Sequence, residues 1–197
     1  MSEPNPASRL VPVDDVALAI VDIQDRLAAV MHRRDDVVGV AVTLVRVAAI
    51  LDIPVIVTRQ YAKGLGDTVP EVLEALDDAR AHGASIAVVD KMDFDCLAEP
   101  GFRQALEAAG RAHVALVGME AHICVVQTAL SLAASGRAAH IVSDAVCSRR
   151  DEDRDVALAR MTAAGIDVLP SESVIYEALG RAGTPEFKAV LQVVKGG

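Results

Sequence analysis

Apolar positions along the chain fall into two alternating kinds of block. Residues 16–21 (VALAIV) form a short unbroken apolar run, with no polar position to offer water on either face. That is the pattern of a strand buried on both sides. Residues 54–58 (PVIVT), 85–89 (SIAVV), 113–117 (HVALV), 138–143 (AAHIVS) and 166–169 repeat it. Longer amphipathic segments lie between them. One covers about 27–51, with Gly39 as an expected break. Another opens at Pro70, where proline suits a first helical turn. Three more cover 99–109, 121–135 and 151–164, stopped by Gly110, Gly136 and Gly165, and two near 172–179 and 185–194 close the chain. Residues 60–69, with two glycines, are expected to be loop. Strands alternating with helices predict an α/β fold on a mostly parallel sheet covered on both faces. No repeat or linker interrupts the pattern, so residues 1–197 are expected to form a single domain, with 1–13 as an N-terminal tail.

Composition narrows the function. Half the chain is apolar but Trp is absent and aromatics are 3%, so the core must be built from Ala, Val, Leu and Ile. A net charge of −9, with Lys and Arg scattered, argues against a nucleic-acid partner, whose phosphates need a basic surface. Cys96, Cys124 and Cys147 are too few and too widely spaced for a disulfide framework, and no Cys/His cluster points to structural zinc. The polar, Pro-rich first dozen residues lack the layout of a signal peptide. No apolar run is both long and charge-free enough for a bilayer. The expectation is a soluble, reduced, cytoplasmic protein without cofactor or membrane partner.

Open parallel sheets bind ligands outside the carboxyl ends of their strands. Asp22 ends the first predicted strand, Lys91 follows the third, and Cys124 lies beyond the fourth at the start of a helix, where the helix field favours a thiolate. Each has a plainer role open to it. Asp22 or Asp25 could cap the next helix, Lys91 could be a solvated surface lysine, and Cys124 a small buried hydrophobe. Cys96 and Cys147 are expected to pack, Asp144 to sit in a turn, and His82 and His113 to occupy loop or strand-edge positions. The Gly64–Leu65–Gly66 turn lacks the strand-before, helix-after setting of a nucleotide fingerprint.

These residues carry a family resemblance. GMEAHICVVQTALSLAASGRAAHIVSDAVCSR (118–149) resembles the signature block of the isochorismatase-like cysteine hydrolases. AIVDIQ (19–24) resembles the motif that carries the family's catalytic Asp, and DKMDF (90–94) the segment that carries its Lys. TRQYAKGLGDTVPE (58–71) and SRRDEDRDVALARM (148–161) resemble the branch of isochorismatase domain-containing proteins. The resemblance spans about 16–194. It implies a Rossmann-like three-layer α/β/α sandwich on a six-stranded parallel sheet, a homo-oligomer of two or more chains, and a triad of Asp22, Lys91 and Cys124. It also implies a cis peptide at Met119–Glu120.

Two departures shape the expected chemistry. The zinc-dependent nicotinamidases of this family carry an Asp-x-His pair after the second strand. Here that stretch reads TRQYAKGLG, so no metal is expected. The true isochorismatases cleave a vinyl ether and typically lack the cysteine, so Cys124 points to acyl transfer. The expected reaction is hydrolysis of a small amide or related carbonyl substrate. Asp22 takes the Cys124 proton, Lys91 stabilises the charges, a thioester forms, and the backbone N–H groups of Glu120 and Cys124 supply the oxyanion hole. Gln24, Gln60, Tyr61, Glu120 and His122 are candidate substrate contacts. The alternatives are a non-acyl hydrolase using Asp22 as acid and a non-catalytic interaction protein with a vestigial triad.

Overall fold

The computed structural model describes residues 10–196. Six parallel strands form one sheet: β1 (Val16–Val21), β2 (Val55–Gln60), β3 (Ile86–Lys91), β4 (His113–Met119), β5 (Ala138–Cys147) and β6 (Asp167–Leu169). Their order is β3-β2-β1-β4-β5-β6. The helices are α1 (Asp25–Ala28), α2 (Arg34–Ile50), α3 (Ala62–Leu65), α4 (Pro70–Ala81), α5 (Pro100–Ala109), α6 (Val126–Ala134), α7 (Asp151–Ala163), α8 (Ser171–Leu179) and α9 (Pro185–Lys195). Alternation along β1 sends Val16, Leu18 and Ile20 into a layer with α2, α4, α8 and α9. Ala19 and Val21 face the opposite layer, with α5, α6 and α7. This is the three-layer sandwich expected from the alternating blocks.

β2, β3, β4 and β5 all run past their apolar stretches at the carboxyl end. Polar residues continue the ladder there because the backbone bonds are still available: Arg59 pairs with Asp90 and Gln60 with Lys91. Other boundaries also differ from the sequence pattern. The first long amphipathic segment breaks at residues 29–33, where Arg33 turns into the left-handed region (φ 62°), and not at Gly39. Gly39 lies within α2 with open space around it. A helix absorbs such a glycine for about 1 kcal/mol. The 60–69 stretch is not all loop, since it holds α3. Of the expected N-terminal tail, residues 1–9 lie outside the described residues. Val11 is buried, its N–H donates to Glu177 Oε2 at 3.0 Å, and Val13–Asp15 turn into β1.

The chain steps outward from β1 to β2 and β3, then returns to lay β4 against the other side of β1. The crevice between β1 and β4 is therefore the switch point of the sheet. Gly118 enforces it. It pairs with Val21 at φ 125°, and a Cβ there would sit 1.9 Å from the Val21 carbonyl oxygen.

The amino end of the sheet holds a second polar feature. His113, expected at a loop or strand edge, is buried. Its Nδ1 lies 2.9 Å from His140 Nε2, and the rings stack at 5.2 Å. His140 Nδ1 has no hydrogen-bond partner, and Asp167 Oδ2 is 3.6 Å away. Burial, with the His113 charge next, lowers His140 to about 4. Burial also lowers His113, against the pull of Asp15 and Asp167. The unfolded chain therefore takes up protons first as pH falls below about 6.5. Stability from this pair is complete above that pH and is lost as pH drops towards 4, by about 3 kcal/mol at most for His140. Denaturant unfolding at pH 7 and 4.5 should reveal this loss, and His140→Gln should flatten it.

Candidate active site

The carboxyl ends of β1, β2 and β3 bring a carboxylate, a hydroxyl, an amide and an ammonium onto one face. Thr58, Gln60 and Lys91 fall in step with Ile56 and Val89, so strand alternation aims them at the α5–α6 layer. Asp22 follows Leu18 and Ile20, and an extended backbone would aim it at the other layer. Its backbone instead takes φ 54°, in the left-handed region that few non-glycine residues adopt. That turn brings its carboxylate round to the others. Thr58 Oγ1 donates to Asp22 Oδ1 at 2.7 Å, and Lys91 Nζ donates to Asp22 Oδ2 at 2.7 Å. Asp22 caps no helix: α1 begins at Asp25 with no side-chain cap, so the capping role open to either residue is unfilled.

Lys91 is no solvated surface lysine. Its side chain and that of Asp22 are both 0% exposed. Its remaining N–H groups go to Gln60 Oε1 (2.6 Å) and the Asp93 carbonyl (3.2 Å), which uses all three ammonium donors. Burial works against this charge, but the Asp22 carboxylate holds Lys91 above an ordinary lysine.

Cys124 enters from the other side of the switch point. β4 ends at Met119, the Met119–Glu120 peptide is cis, and a π-turn over Ala121–Val125 leads into α6. Cys124 sits inside that turn, 5% exposed, facing Asp22. The expected low thiol pKa does not hold. Burial raises the thiol well above its ordinary value, the Asp22 carboxylate adds to this, and Lys91 pulls the other way with less effect. The residue rests as a thiol beside a carboxylate. Cys96 is also buried against this site, in the same apolar layer as Cys124, whereas Cys147 packs in the opposite layer.

The candidate substrate contacts divide. Gln24 spends its amide on main chain, donating to the Gln60 and Gly66 carbonyls (3.0 and 2.8 Å) and accepting from the Gln60 N–H (2.7 Å). Gln60 holds Lys91 and donates to the Met92 carbonyl (2.7 Å). Both amides shape the site through these bonds. Tyr61 is half exposed and lines a cleft of about 350 Å³ with Lys63, Asp90, Lys91, Met92 and Glu99. His122 Nδ1 is 2.9 Å from Ser148 Oγ, and Glu120 accepts from Arg149 Nε at 2.8 Å. Thr58 was not singled out in the sequence, because a threonine ending an apolar run looks like any strand residue. Its register opposite Val21 exists only in the folded sheet. Asp144 lies within β5, not in a turn, and its carboxylate accepts from the Ser171 N–H and hydroxyl at the start of α8. Among the described residues no three His, Cys, Asp or Glu side chains converge as metal ligands.

The profile of the isochorismatase domain matches residues 16–173. The chain belongs to the isochorismatase family. A secreted isochorismatase effector, Isc1, of Phytophthora sojae is 36% identical over 188 residues, 95% of this chain and 87% of that protein. Among solved structures, the MAR1 ribonuclease of Caenorhabditis elegans superposes with a TM-score of 0.86 at 34% identity, covering 94% of this chain and 92% of that one. YcaC of Pseudomonas aeruginosa, solved with hexane-2,5-diol and covalent acrylamide, gives 0.83 at 25% identity, covering 95% and 92%. This isochorismatase-family chain therefore has the α/β sheet of its relatives and stands among hydrolases. No helix of the described residues is long and apolar enough to cross a membrane.

Removing one partner of the buried Asp22–Lys91 pair leaves an uncompensated charge, which costs about 3–5 kcal/mol. Lys91→Met should lose that much in urea unfolding. The double variant Asp22→Asn/Lys91→Met should recover most of it, whereas purely additive losses would show that the pair is not coupled.

Proposed function

We propose that this chain is a cysteine hydrolase that cleaves a small amide or related carbonyl substrate through a thioester on Cys124. The observation that carries this is the buried thiol facing a carboxylate whose second oxygen is neutralised by an ammonium 2.7 Å away. A thiol raised by burial is a poor resting nucleophile. The proton therefore leaves as the bond forms, and Asp22 receives it as sulfur attacks the carbonyl carbon. Backbone N–H groups of Glu120 and Cys124 stabilise the oxyanion. Asp22 then protonates the leaving amine, and the thioester forms. Water, deprotonated by Asp22, releases the acid and restores the thiol. Lys91 has no donor left for the substrate, so its part is to fix the Asp22 carboxylate and balance its charge in a dry site.

A nucleophile 5% exposed admits only a small substrate, and Tyr61 lines the cleft that reaches Lys91. Three free cysteines, all buried, suit a reducing cytoplasmic setting, although the Phytophthora relative is a secreted protein. Exposed Tyr61, Met92 and Phe94 after β2 and β3 give a homo-oligomer apolar surface to bury. Covalent acrylamide on the Pseudomonas relative supports a reactive nucleophile in this fold. The Caenorhabditis relative's name brings an oligoribonucleotide into the substrate screen, where the charge of −9 predicts no cleavage.

A library of small amides and esters tests the reading. Cys124→Ala should lower turnover by about a thousandfold or more with the fold intact, and Asp22→Asn should do likewise. Mass spectrometry should find an acyl adduct on Cys124. Turnover that survives in Cys124→Ala but not in Asp22→Asn would move the assignment to a non-acyl hydrolase. No turnover and no electrophile labelling of Cys124 would leave an interaction protein.

A further inference from the structure

The hydrolytic cycle uses one thiol, yet two are buried against the same carboxylate. Cys96 is 0% exposed, in a tight turn over Cys96–Ala98 a few residues after Lys91. That turn is fastened to α6. The Cys96 N–H donates to Thr128 Oγ1 at 3.0 Å. Asp95 accepts from the Leu97 N–H at 2.9 Å with one oxygen and from Ser131 Oγ at 2.6 Å with the other. Thr128 and Ser131 lie three residues apart on one face of α6, and Cys124 precedes them in the π-turn that leads into that helix. The fastening seats Cys96 against α6, in the apolar layer that also holds Cys124. From the sheet side, the Cys96 thiol faces the hydroxyl of Thr58, the group that donates to Asp22, and Asp22 in turn faces Cys124. Cys147 is separated from both by the sheet.

We propose that Cys96 is a resolving thiol and that Cys96 and Cys124 form a reversible disulfide, which switches the hydrolase off in the presence of a hydroperoxide. The proposal rests on Cys124 being the reactive thiol. The Cys124 sulfur attacks the outer oxygen of the peroxide, the O–O bond breaks, and the alcohol or water leaves. Its proton comes from the Cys124 thiol by way of Asp22. Sulfur is oxidised by two electrons to the sulfenic acid, and the peroxide is reduced. The Cys96 sulfur then attacks the sulfenyl sulfur, the S–O bond breaks, and hydroxide leaves as water with the Cys96 proton. A dithiol reverses the process. The disulfide removes the nucleophile from the hydrolytic cycle, and it intercepts the sulfenic acid before a second peroxide can carry it to the irreversible sulfinic acid.

Burial raises Cys96 to about 12 and Cys124 higher still. The oxidation is therefore slow without a proton acceptor and should slow further in Asp22→Asn. The full chain is treated with hydrogen peroxide, alkylated without reductant and mapped by peptide mass spectrometry. The expected product is a Cys96–Cys124 linked peptide pair, with Cys147 still alkylated. Dithiothreitol should restore Cys124 alkylation by more than tenfold. In Cys96→Ala, and in Cys96→Ser as a second variant, Cys124 should pass to the sulfinic acid and stay blocked. Oxidised Cys124 without the link, linkage to Cys147, or equal recovery in the Cys96 variants overturns the switch while leaving the hydrolase reading intact. A Cys124 that neither an alkylating electrophile nor peroxide modifies overturns both.

Discussion

An ammonium and a carboxylate held dry across the top of β2 organise this molecule's carboxyl rim. Asp22 directly follows β1 and Lys91 ends β3, and the strand between them supplies Thr58 and Gln60, which complete the two coordination shells. Desolvating two such ions costs several kcal/mol each. The arrangement persists only because each polar atom finds a partner at 2.6–2.7 Å or in the main chain. Holding that geometry in turn requires the strands to run on beyond their apolar stretches, since Gln60 and Lys91 reach the site as a paired register position. It also requires Asp22 to leave the extended conformation, so that its side chain crosses to the layer where Thr58 and Lys91 already point.

The same pair decides the electrostatic character of the neighbouring thiol. A cysteine at the beginning of a helix would ordinarily be acidified by the helix field. Here the field competes with burial and with a carboxylate face to face with the sulfur, and these win. Lys91, which could have offset the carboxylate, has its three donors spent elsewhere. The outcome is a thiol raised by burial next to a carboxylate paired with its own ammonium.

Gln24 shows how much of the surrounding sequence serves position and not contact. Its amide bonds the main chain of Gln60 and Gly66 at three atoms, so a residue two positions after Asp22 ties the end of β2 to the stretch that follows it. Gly118 plays a comparable part between β1 and β4, because only the absence of a Cβ lets the switch point close. The turn at Cys96–Ala98 is tied to α6 by Thr128 and Ser131, so the layer that carries Cys124 is braced from β3 as well.

The sequence by itself determined the strands and helices, because burial on both faces leaves an unbroken apolar run that no solvated strand would carry. It also determined the family, through blocks at 19–24, 90–94 and 118–149 that carry Asp22, Lys91 and Cys124 in order. Its errors lie where neighbours outvote local pattern. Gly39 is absorbed on the exposed face of α2, polar Gln60 and Lys91 continue strands because the ladder continues, and His113 is buried by stacking on His140. Tertiary structure alone decided that Thr58 holds Asp22, that Gln24 bonds the main chain and Gln60 bonds Lys91, that the thiol is raised, and that Cys96 and not Cys147 lies on its side of the sheet. These depend on distances between residues far apart in the chain and on the exclusion of water, and neither quantity exists until the layers have closed.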